Sequence, residues 1–131
     1  MIKNISNLGD AALYCDFGKE INKDINTHVI KYFKTIQKKN IPGINNLTPS
    51  YNKLIISFDL KKINFNKLKK VIDNIEITKS DNTQNKKLEI PVCCEEEFSL
   101  DIKRLEEILN LKKEKIYENF FAKEFFCYMT G

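Results

Sequence analysis

The sequence predicts an α+β fold for the first part of the chain, and three observations support this. Residues 11–17 and 53–59 are short runs rich in β-branched and aromatic residues, which is the composition of strands. Apolar residues recur every three or four positions over residues 20–40 and again over 64–74, which is the period of an amphipathic helix. The chain of 131 residues is 42% hydrophobic and 31% charged, as expected for a globular protein.

The first predicted strand, residues 11–17, ends at Gly18 and is followed by the longer of the two helices. The apolar stripe of this helix consists of Ile21, Ile25, Val29, Phe33 and Ile36. Asn40 and the pair Pro42-Gly43 end the periodic pattern, because proline and glycine interrupt a helix. The sequence therefore predicts a strand followed by an amphipathic helix.

Two further strands and a second helix come next in the chain. Residues 44–48 and 53–59 read as strands, and the turn residues at 49–52 predict a hairpin between them. The second helix is predicted over residues 64–74, with Asn64 as its N-cap. The order strand, helix, strand, strand, helix is the beginning of a ferredoxin-like βαββαβ unit.

The last strand of that unit has two candidates, and the sequence does not decide between them. Residues 76–78 are a weak candidate, whereas 88–93 are a stronger one that could also open the next domain. Residues 78–87 are entirely polar and predict a linker. The expected organisation is thus an N-terminal domain over 1–77 and a second domain from 88–131.

The second part predicts mixed elements that do not complete a domain. We expect a helix over residues 100–109 with Ser99 as N-cap, a short helix over 111–121 and a strand over 125–129. The adjacent Cys93 and Cys94 would lie on opposite faces of the strand at 88–93 as buried or half-buried thiols. A domain of about 45 residues rarely folds without disulfides, metal or a partner, so this part is expected to be incomplete.

The charge of the chain is modest and unevenly distributed. The formal net charge is +4, and residues 1–77 hold 13 lysines against 7 acidic residues. An acidic partner is conceivable for this part, but lysines at helical spacing are more typical of a solvated helix face. The excess of acidic residues in the rest of the chain argues against nucleic-acid binding. The sequence has no apolar run of membrane-spanning length and no secretory signal, so we expect a cytoplasmic protein.

The residues that usually carry catalysis or bind metals are sparse. The four cysteines have no C-x-x-C spacing and His28 is the only histidine, so a zinc site is not expected. No glycine-rich phosphate-binding motif is present, so no cofactor is predicted to bind this chain itself. Glu95, Glu96 and Glu97 are expected to be solvated loop carboxylates. The sequence shows no catalytic constellation.

Four stretches resemble segments of one known family, in the same order along the chain. They are 9–13 (GDAAL) with 17–18 and Ile25-Asn26; 42–43 (PG) with 49–51 (PSY) and the strand up to Asp59; 90–93 (IPVC); and 128–131 (YMTG). In this arrangement the chain resembles the KipI-type family, which includes the B subunit of 5-oxoprolinase and allophanate hydrolase subunit 1. The resemblance covers nearly the whole chain but only about the first half of the family pattern.

The resemblance implies a role in a protein complex. Family members act with a related partner, the C subunit of 5-oxoprolinase or allophanate hydrolase subunit 2, in ATP-dependent opening of 5-oxoproline or in allophanate hydrolysis. ATP would then act at the level of the complex. The alternatives are a protein-binding regulator, such as an inhibitor of a sporulation histidine kinase, and a truncated fragment without function. The resemblance also implies that residues 88–131 begin a cyclophilin-like β domain.

Two departures from the family pattern and three candidate residues follow from this resemblance. Cys94 stands where the family has Tyr, and Phe120 stands where many members have His, which removes a titratable group. The candidates for partner or substrate binding are Asp10, Tyr51 and Tyr128. Each has a structural alternative: turn chemistry for Asp10, hairpin stability for Tyr51 and core packing for Tyr128.

Overall fold

The computed structural model describes residues 1–77 and 86–130, which form two compact units. The first unit consists of residues 1–77 together with 127–130, and the second consists of 86–126. Most of the predicted linker, 78–87, lies outside the described residues. In the described residues the fold combines an antiparallel sheet with four α-helices, as the predicted α+β class requires.

The sheet of the first unit has four antiparallel strands. These are β1 (Asn4–Asn7), β2 (Ala12–Asp16), β3 (Ile44–Pro49) and β4 (Lys53–Phe58). Their order across the sheet is β1-β2-β4-β3. The three strands predicted from composition are confirmed, and β3 and β4 form the predicted hairpin.

Two helices accompany the sheet, and each begins at a capping asparagine. They are α1 (Lys23–Lys39) and α2 (Phe65–Asp73). The side-chain oxygens of Asn22 and Asn64 accept backbone N–H bonds of 2.9 and 3.0 Å at these N-termini. Helix α1 ends at Asn40, which adopts a left-handed conformation with φ 42°. The predicted cap at Asn64 is confirmed, and α1 begins later than predicted because Asn22 caps it.

Both helices cover the same face of the sheet. Alternate residues of the central strands point into one hydrophobic core, as a strand period of two requires. This core consists of Ile5, Leu13, Cys15, Phe17, Val29, Tyr32, Ile36, Leu54, Ile56, Phe58, Leu68, Ile72 and Ile75. Because residues of β2, β4 and both helices share this cluster, the first unit is a two-layer α/β sandwich whose other sheet face is only half-buried.

The predicted order of elements along the chain, βαββαβ, differs from the order in the described residues 1–77, where the fourth strand lies at the N-terminus. Strand β1 occupies the sheet edge beside β2, with Ile5 opposite Cys15. Ile5 is buried and supplies the apolar contact of this strand. Residues 76–77 form no strand, and residue 78 lies outside the described part of the chain. The edge of β2 is therefore already paired, and the order becomes ββαββα.

Replacing Gly43 by Ala should destabilise the first unit. Gly43 has φ +95°, and an added Cβ would lie 2.7 Å from Cγ2 of Ile63. We expect the free energy of unfolding to fall by about 1–3 kcal/mol, because both strain and a clash are introduced. Gly9→Ala is the control, since Gly9 has φ +62° but open space around it; it should cost about 1 kcal/mol. Equal urea midpoints for the two variants would contradict this.

The second unit consists of two short helices and extended chain. A single 3₁₀ turn, Glu96–Phe98, precedes α3 (Ile102–Leu109) and α4 (Lys113–Phe121). The two predicted helices are confirmed with later starts, and the predicted N-cap at Ser99 is wrong, because α3 begins after Asp101. Among the described residues of this unit, Ile102 is the one buried hydrophobic side chain. The unit thus leaves most of its apolar surface exposed.

The strands predicted at 88–93 and 125–129 are wrong. No strand is assigned within residues 86–130 of the structure. Leu88 and Ile90 are 67% and 76% exposed, and Pro91 lacks the N–H that a strand ladder needs. Cys93 is exposed and Cys94 half-buried, so the expected burial of both thiols holds only for Cys94. These stretches are apolar, but no pairing strand covers them in the described part of the second unit.

Candidate functional site

A buried asparagine connects three distant parts of the first unit. Asn26 lies in the first turns of α1 and is 2% exposed. Its side-chain nitrogen Nδ2 lies 3.2 Å from the carbonyl oxygen of Ser50, 3.1 Å from that of Tyr51 and 3.0 Å from that of Tyr128. A buried amide normally finds partners for its hydrogens, and here all three acceptors are backbone carbonyls. Asn26 thus joins a helix, a hairpin turn and the last described residues.

The hairpin turn that presents two of these carbonyls is itself fixed by backbone bonds. The N–H of Ser50 donates to the carbonyl of Lys53 at 2.9 Å, and the N–H of Phe17 donates to the carbonyl of Asn52 at 3.0 Å. Strand β4 then leaves the turn in register with β2, with Lys53 opposite Asp16. The turn is therefore held in place independently of Asn26.

Tyr51 and Tyr128 lie side by side at this point. Their ring centroids are 6.1 Å apart, with an interplanar angle of 55°. Tyr51 is 42% exposed, and Met129, whose Sδ lies 3.6 Å from Oγ of Ser50, is 39% exposed. Two of the three residues predicted for binding are thus brought together, in a partly exposed aromatic patch.

Three of the four stretches that carry the family resemblance converge here. Residues 25–26, 49–51 and 128–130 are separated by more than twenty residues in sequence, yet meet around one amide group. We call this group of residues the Asn26 cluster: Asn26, Ser50, Tyr51, Tyr128 and Met129. Its parts come from different elements, so it is a site formed by the fold and not by local sequence.

An ion pair on the sheet adjoins the cluster through the hairpin. The Lys53 Nζ lies 2.5 Å from Oδ1 of Asp16 and 2.7 Å from the carbonyl oxygen of Gly18. The same Oδ1 accepts the N–H of Gly18 at 2.7 Å, and Asn52 Nδ2 donates to the Gly18 carbonyl at 2.9 Å. The hydrogen bond from Lys53 lowers the pKa of the Asp16 carboxyl below its ordinary value. This network fixes the loop between β2 and α1.

Replacing Lys53 by Met should raise the pKa of Asp16 towards its ordinary value. The ionised Asp16 stabilises the fold above its unfolded pKa, and this contribution is lost as the pH falls through its lower folded pKa. Lys53→Met removes most of that contribution, so the loss of stability as the pH falls from about 5 through the lowered folded pKa of Asp16 becomes smaller. NMR titration of the Asp16 carboxyl measures the shift. An unchanged Asp16 titration in the variant would contradict the assignment, and Lys62→Met, whose Nζ lies 3.9 Å from Asp59, is the control.

The structure does not bring Asp10 to the Asn26 cluster. Asp10 is exposed in the turn between β1 and β2, which the N–H of Leu8 closes by donating to the carbonyl of Ala12 at 2.9 Å. Strand β2 runs from this turn to Asp16, which pairs with Lys53, the first residue of β4 after the hairpin turn. Asp10 therefore lies at the other end of the sheet.

Asn26 is a site residue that the sequence-based candidates do not include. In the sequence it stands out only as part of the Ile25-Asn26 match. The available signal is a polar residue beside the apolar stripe, between Ile25 and Val29, on the side of α1 that is buried. Since asparagine side chains also cap helices and occupy solvated faces, this signal alone does not distinguish a buried donor from a surface residue.

Other reactive residues of the first unit show no comparable arrangement. The Nδ1 of His28 lies 2.8 Å from the Asp24 carbonyl on the exposed side of α1, as expected for a surface histidine. Burial, and then the charge of Asp73, raise the pKa of the Cys15 thiol to about 12, so it stays protonated. Within residues 1–77 and 86–130, no group of three or more His, Cys, Asp or Glu side chains is placed to hold a metal ion.

The second unit holds an open apolar groove of about 400 Å³ between its helices. Its floor includes Ile102 and Leu105 of α3 and Ile116 of α4. The hydroxyls of Ser99 and Tyr117 lie 2.7 Å apart and fix the start of α3 against α4. The groove is mainly apolar and contains no paired titratable groups. Across the part of the chain that the structure describes, no helix is long and apolar enough to span a membrane.

The chain is similar to several known proteins in sequence and in fold. The chain is 27% identical over 139 aligned positions to the B subunit of 5-oxoprolinase from Bacillus subtilis, an alignment that covers 97% of this chain and 58% of that protein. The chain thus spans little more than half the length of this curated relative. Its fold resembles the conserved protein PH0987 of Pyrococcus horikoshii, with a TM-score of 0.54 and 28% identity over 88% of this chain and 53% of that one.

A second solved structure supports the fold alone. TTHA0988 matches with a TM-score of 0.67 and 19% identity, over 81% of this chain and 20% of that one. The model of the carboxyltransferase domain, subdomains C and D, matches residues 3–131. The chain therefore belongs to the carboxyltransferase subdomain C and D family, in the KipI-type branch that includes the B subunit of 5-oxoprolinase.

Proposed function

We propose that this chain acts as part of an ATP-dependent 5-oxoprolinase-type complex, together with a related C-type subunit. The first support is its membership of the family and its likeness to a protein named as the B subunit of 5-oxoprolinase. An allophanate hydrolase-type complex is the alternative within the same family. In this account the chain opens 5-oxoproline only as part of the assembly, and ATP is used by the complex.

The observation that carries the proposal is the convergence at the Asn26 cluster. Segments that match the family pattern are far apart in sequence, and they meet in space only if the fold brings them to a common surface. Here they meet around Asn26 and expose Tyr51 beside Tyr128. Exposed tyrosines are frequent anchors of protein interfaces, because they offer a large apolar face and a hydroxyl.

We assign partner or substrate binding to this surface. Tyr51 and Tyr128 would make the central contact, and Asp10, at the other end of the sheet, would be a separate point of contact. Two observations support a binding role. The rings of Tyr51 and Tyr128 form a partly exposed aromatic patch, and the relative is named as one subunit of an enzyme.

The second unit also fits a role inside an assembly. Its helices α3 and α4 and the chain before them leave large apolar side chains exposed, including Phe98 at 63%, Leu100 at 90% and Phe121 at 55%. Exposed apolar area of this kind normally marks an interaction surface. We propose that residues 88–131 begin the family's cyclophilin-like β domain, and that 1–77 form a variant of the ferredoxin-like unit with its edge strand at the N-terminus.

The test is reconstitution of activity with and without this chain. The full chain is mixed with a C-type subunit and the remaining components of a 5-oxoprolinase, and release of glutamate from 5-oxoproline is followed with ATP. We expect activity to require the chain, and heat-denatured chain to serve as the control. Undiminished opening of 5-oxoproline in its absence would contradict the proposal. If the reconstituted complex acts on allophanate but not on 5-oxoproline, the allophanate hydrolase-type alternative is favoured.

A further inference from the structure

The last described residues of the first unit form a short strap. Residues 127–130, here called the C-terminal strap, return to the first unit and contact the hairpin turn. The strap has no strand pairing within the described residues. Its side chains are absent from the hydrophobic core cluster, and Cys127 is exposed. The strap can therefore leave the first unit without opening the core.

The contacts that hold the strap differ in strength. The carbonyl of Tyr128 accepts from Asn26 Nδ2 at 3.0 Å, which is the geometry of a good amide hydrogen bond. The Ser50 Oγ to Met129 Sδ contact at 3.6 Å involves a weak sulfur acceptor. The ring contact with Tyr51 is tilted and partly exposed. Of these three contacts, the bond from Asn26 fixes the backbone of the strap most firmly.

The other acceptors of Asn26 do not depend on the strap. The carbonyls of Ser50 and Tyr51 belong to a hairpin turn that is fixed by its own backbone bond. An amide nitrogen has two hydrogens, and here it faces three carbonyls. The strap and the hairpin turn thus share the Asn26 amide group as donor, and the two carbonyls of the turn can accept both of its hydrogens. A shared donor of this kind allows the strap to bind or leave while Asn26 keeps buried partners.

We propose that Asn26 is a latch that closes the C-terminal strap over the hairpin turn, and that only the closed form presents Tyr51 and Tyr128 as one surface. When the strap is open, Tyr51 remains on the turn and Tyr128 moves away with the strap. The consequence for partner binding rests on the function proposed above. The latch itself concerns only the described contacts of this chain and is measured without a partner.

The test uses NMR spectroscopy on the full chain. In the wild-type protein we expect nuclear Overhauser effects between the rings of Tyr51 and Tyr128, and between the Asn26 side-chain amide and residue 128. Asn26→Asp replaces the donor by a carboxyl group. Once that group is ionised it repels the carbonyls, so the effect between the two rings should disappear while the core resonances persist. Asn22→Asp is the matched control, because aspartate also caps a helix at that position.

Acidification separates a latch from general damage. Below the pKa of the introduced carboxyl group, the Asn26→Asp variant regains one O–H donor, so we expect the contact between the two rings to return. Persistence of the ring contact in the folded variant at a pH where the introduced carboxyl is ionised would overturn the proposal. If the variant does not fold, the wild-type protein still provides a test. Absence of both nuclear Overhauser effects in the wild-type protein would also overturn the proposal. Failure of the chain to bind a C-type partner would contradict the proposed function and leave this result unaffected.

Discussion

Truncating Ile56 to Ala should lower the free energy of unfolding of the first unit by about 2–5 kcal/mol. Ile56 is fully buried in the centre of β4, opposite Leu13 of β2 and Leu47 of β3. Removal of its side chain leaves a cavity between the central strands and the helices, which the packed core cannot fill. A loss of this size is a large part of the stability of an ordinary domain.

The neighbouring Ile55 provides the matched control for this prediction. Its side chain points to the other, half-buried face of the sheet, where Tyr14 and Thr48 are its cross-strand neighbours. Ile55→Ala makes the same chemical change but should cost only about 1 kcal/mol, from lost cross-strand contacts. Urea unfolding followed by circular dichroism compares the two. Similar losses for both variants would show that the two-layer arrangement or the register of β4 is wrong.

Replacing Tyr51 by Ala should weaken binding to the C-type partner by roughly 30-fold, equivalent to about 2 kcal/mol. The ring is exposed, yet it sits on a fixed turn beside Tyr128, so it loses little freedom on binding. Tyr128→Ala should have a similar effect. The dissociation constant is measured by titration calorimetry with the purified C-type partner.

An exposed apolar residue outside the Asn26 cluster serves as control for the binding prediction. Val71 is 39% exposed and lies on α2, which contributes no residue to the Asn26 cluster or to the turn that holds Asp10. Val71→Ala removes exposed apolar surface and should leave the affinity unchanged. Equal affinities for wild type and Tyr51→Ala would show that the hairpin turn is not part of the interface. Asp10→Ala tests the separate contact proposed at the other end of the sheet.

The elements predicted correctly are those whose sequence pattern is also their packing pattern. Helices α1 and α2 show a clear apolar stripe. It includes both buried residues of α2, Leu68 and Ile72, and two of the five buried residues of α1, Val29 and Ile36. Strand β4 alternates buried and half-buried residues in the way its composition suggests. In these segments local propensity and tertiary burial agree, so the sequence alone is sufficient.

The elements predicted wrongly are those that depend on a partner segment. Strand β1, Asn4–Asn7, contains one apolar residue among polar ones, and it becomes a strand because β2 offers it a free edge. Residues 88–93 have strand composition but no pairing strand in the described part of the second unit. Strand propensity reports how well a segment fits a sheet, not whether the sheet is there.

The candidate site is predictable only in part for the same reason. Tyr51 and Tyr128 come from separate stretches, and nothing in the sequence indicates that their rings meet. The residue that joins their backbones, Asn26, makes contacts more than twenty residues away in either case. Long-range hydrogen bonds of this kind follow from the fold, so they are visible only once the helix and the turn are placed together.

NMR chemical-shift perturbation maps most directly which residues of the full chain contact the partner. A labelled chain is titrated with the unlabelled C-type partner. We expect the largest shifts in the first unit on Asn26, on residues 49–52 and on 127–130, with smaller ones along β1 and α2. Binding that leaves these residues unshifted, or no binding at all, would contradict the claim that the Asn26 cluster is the functional surface of this protein.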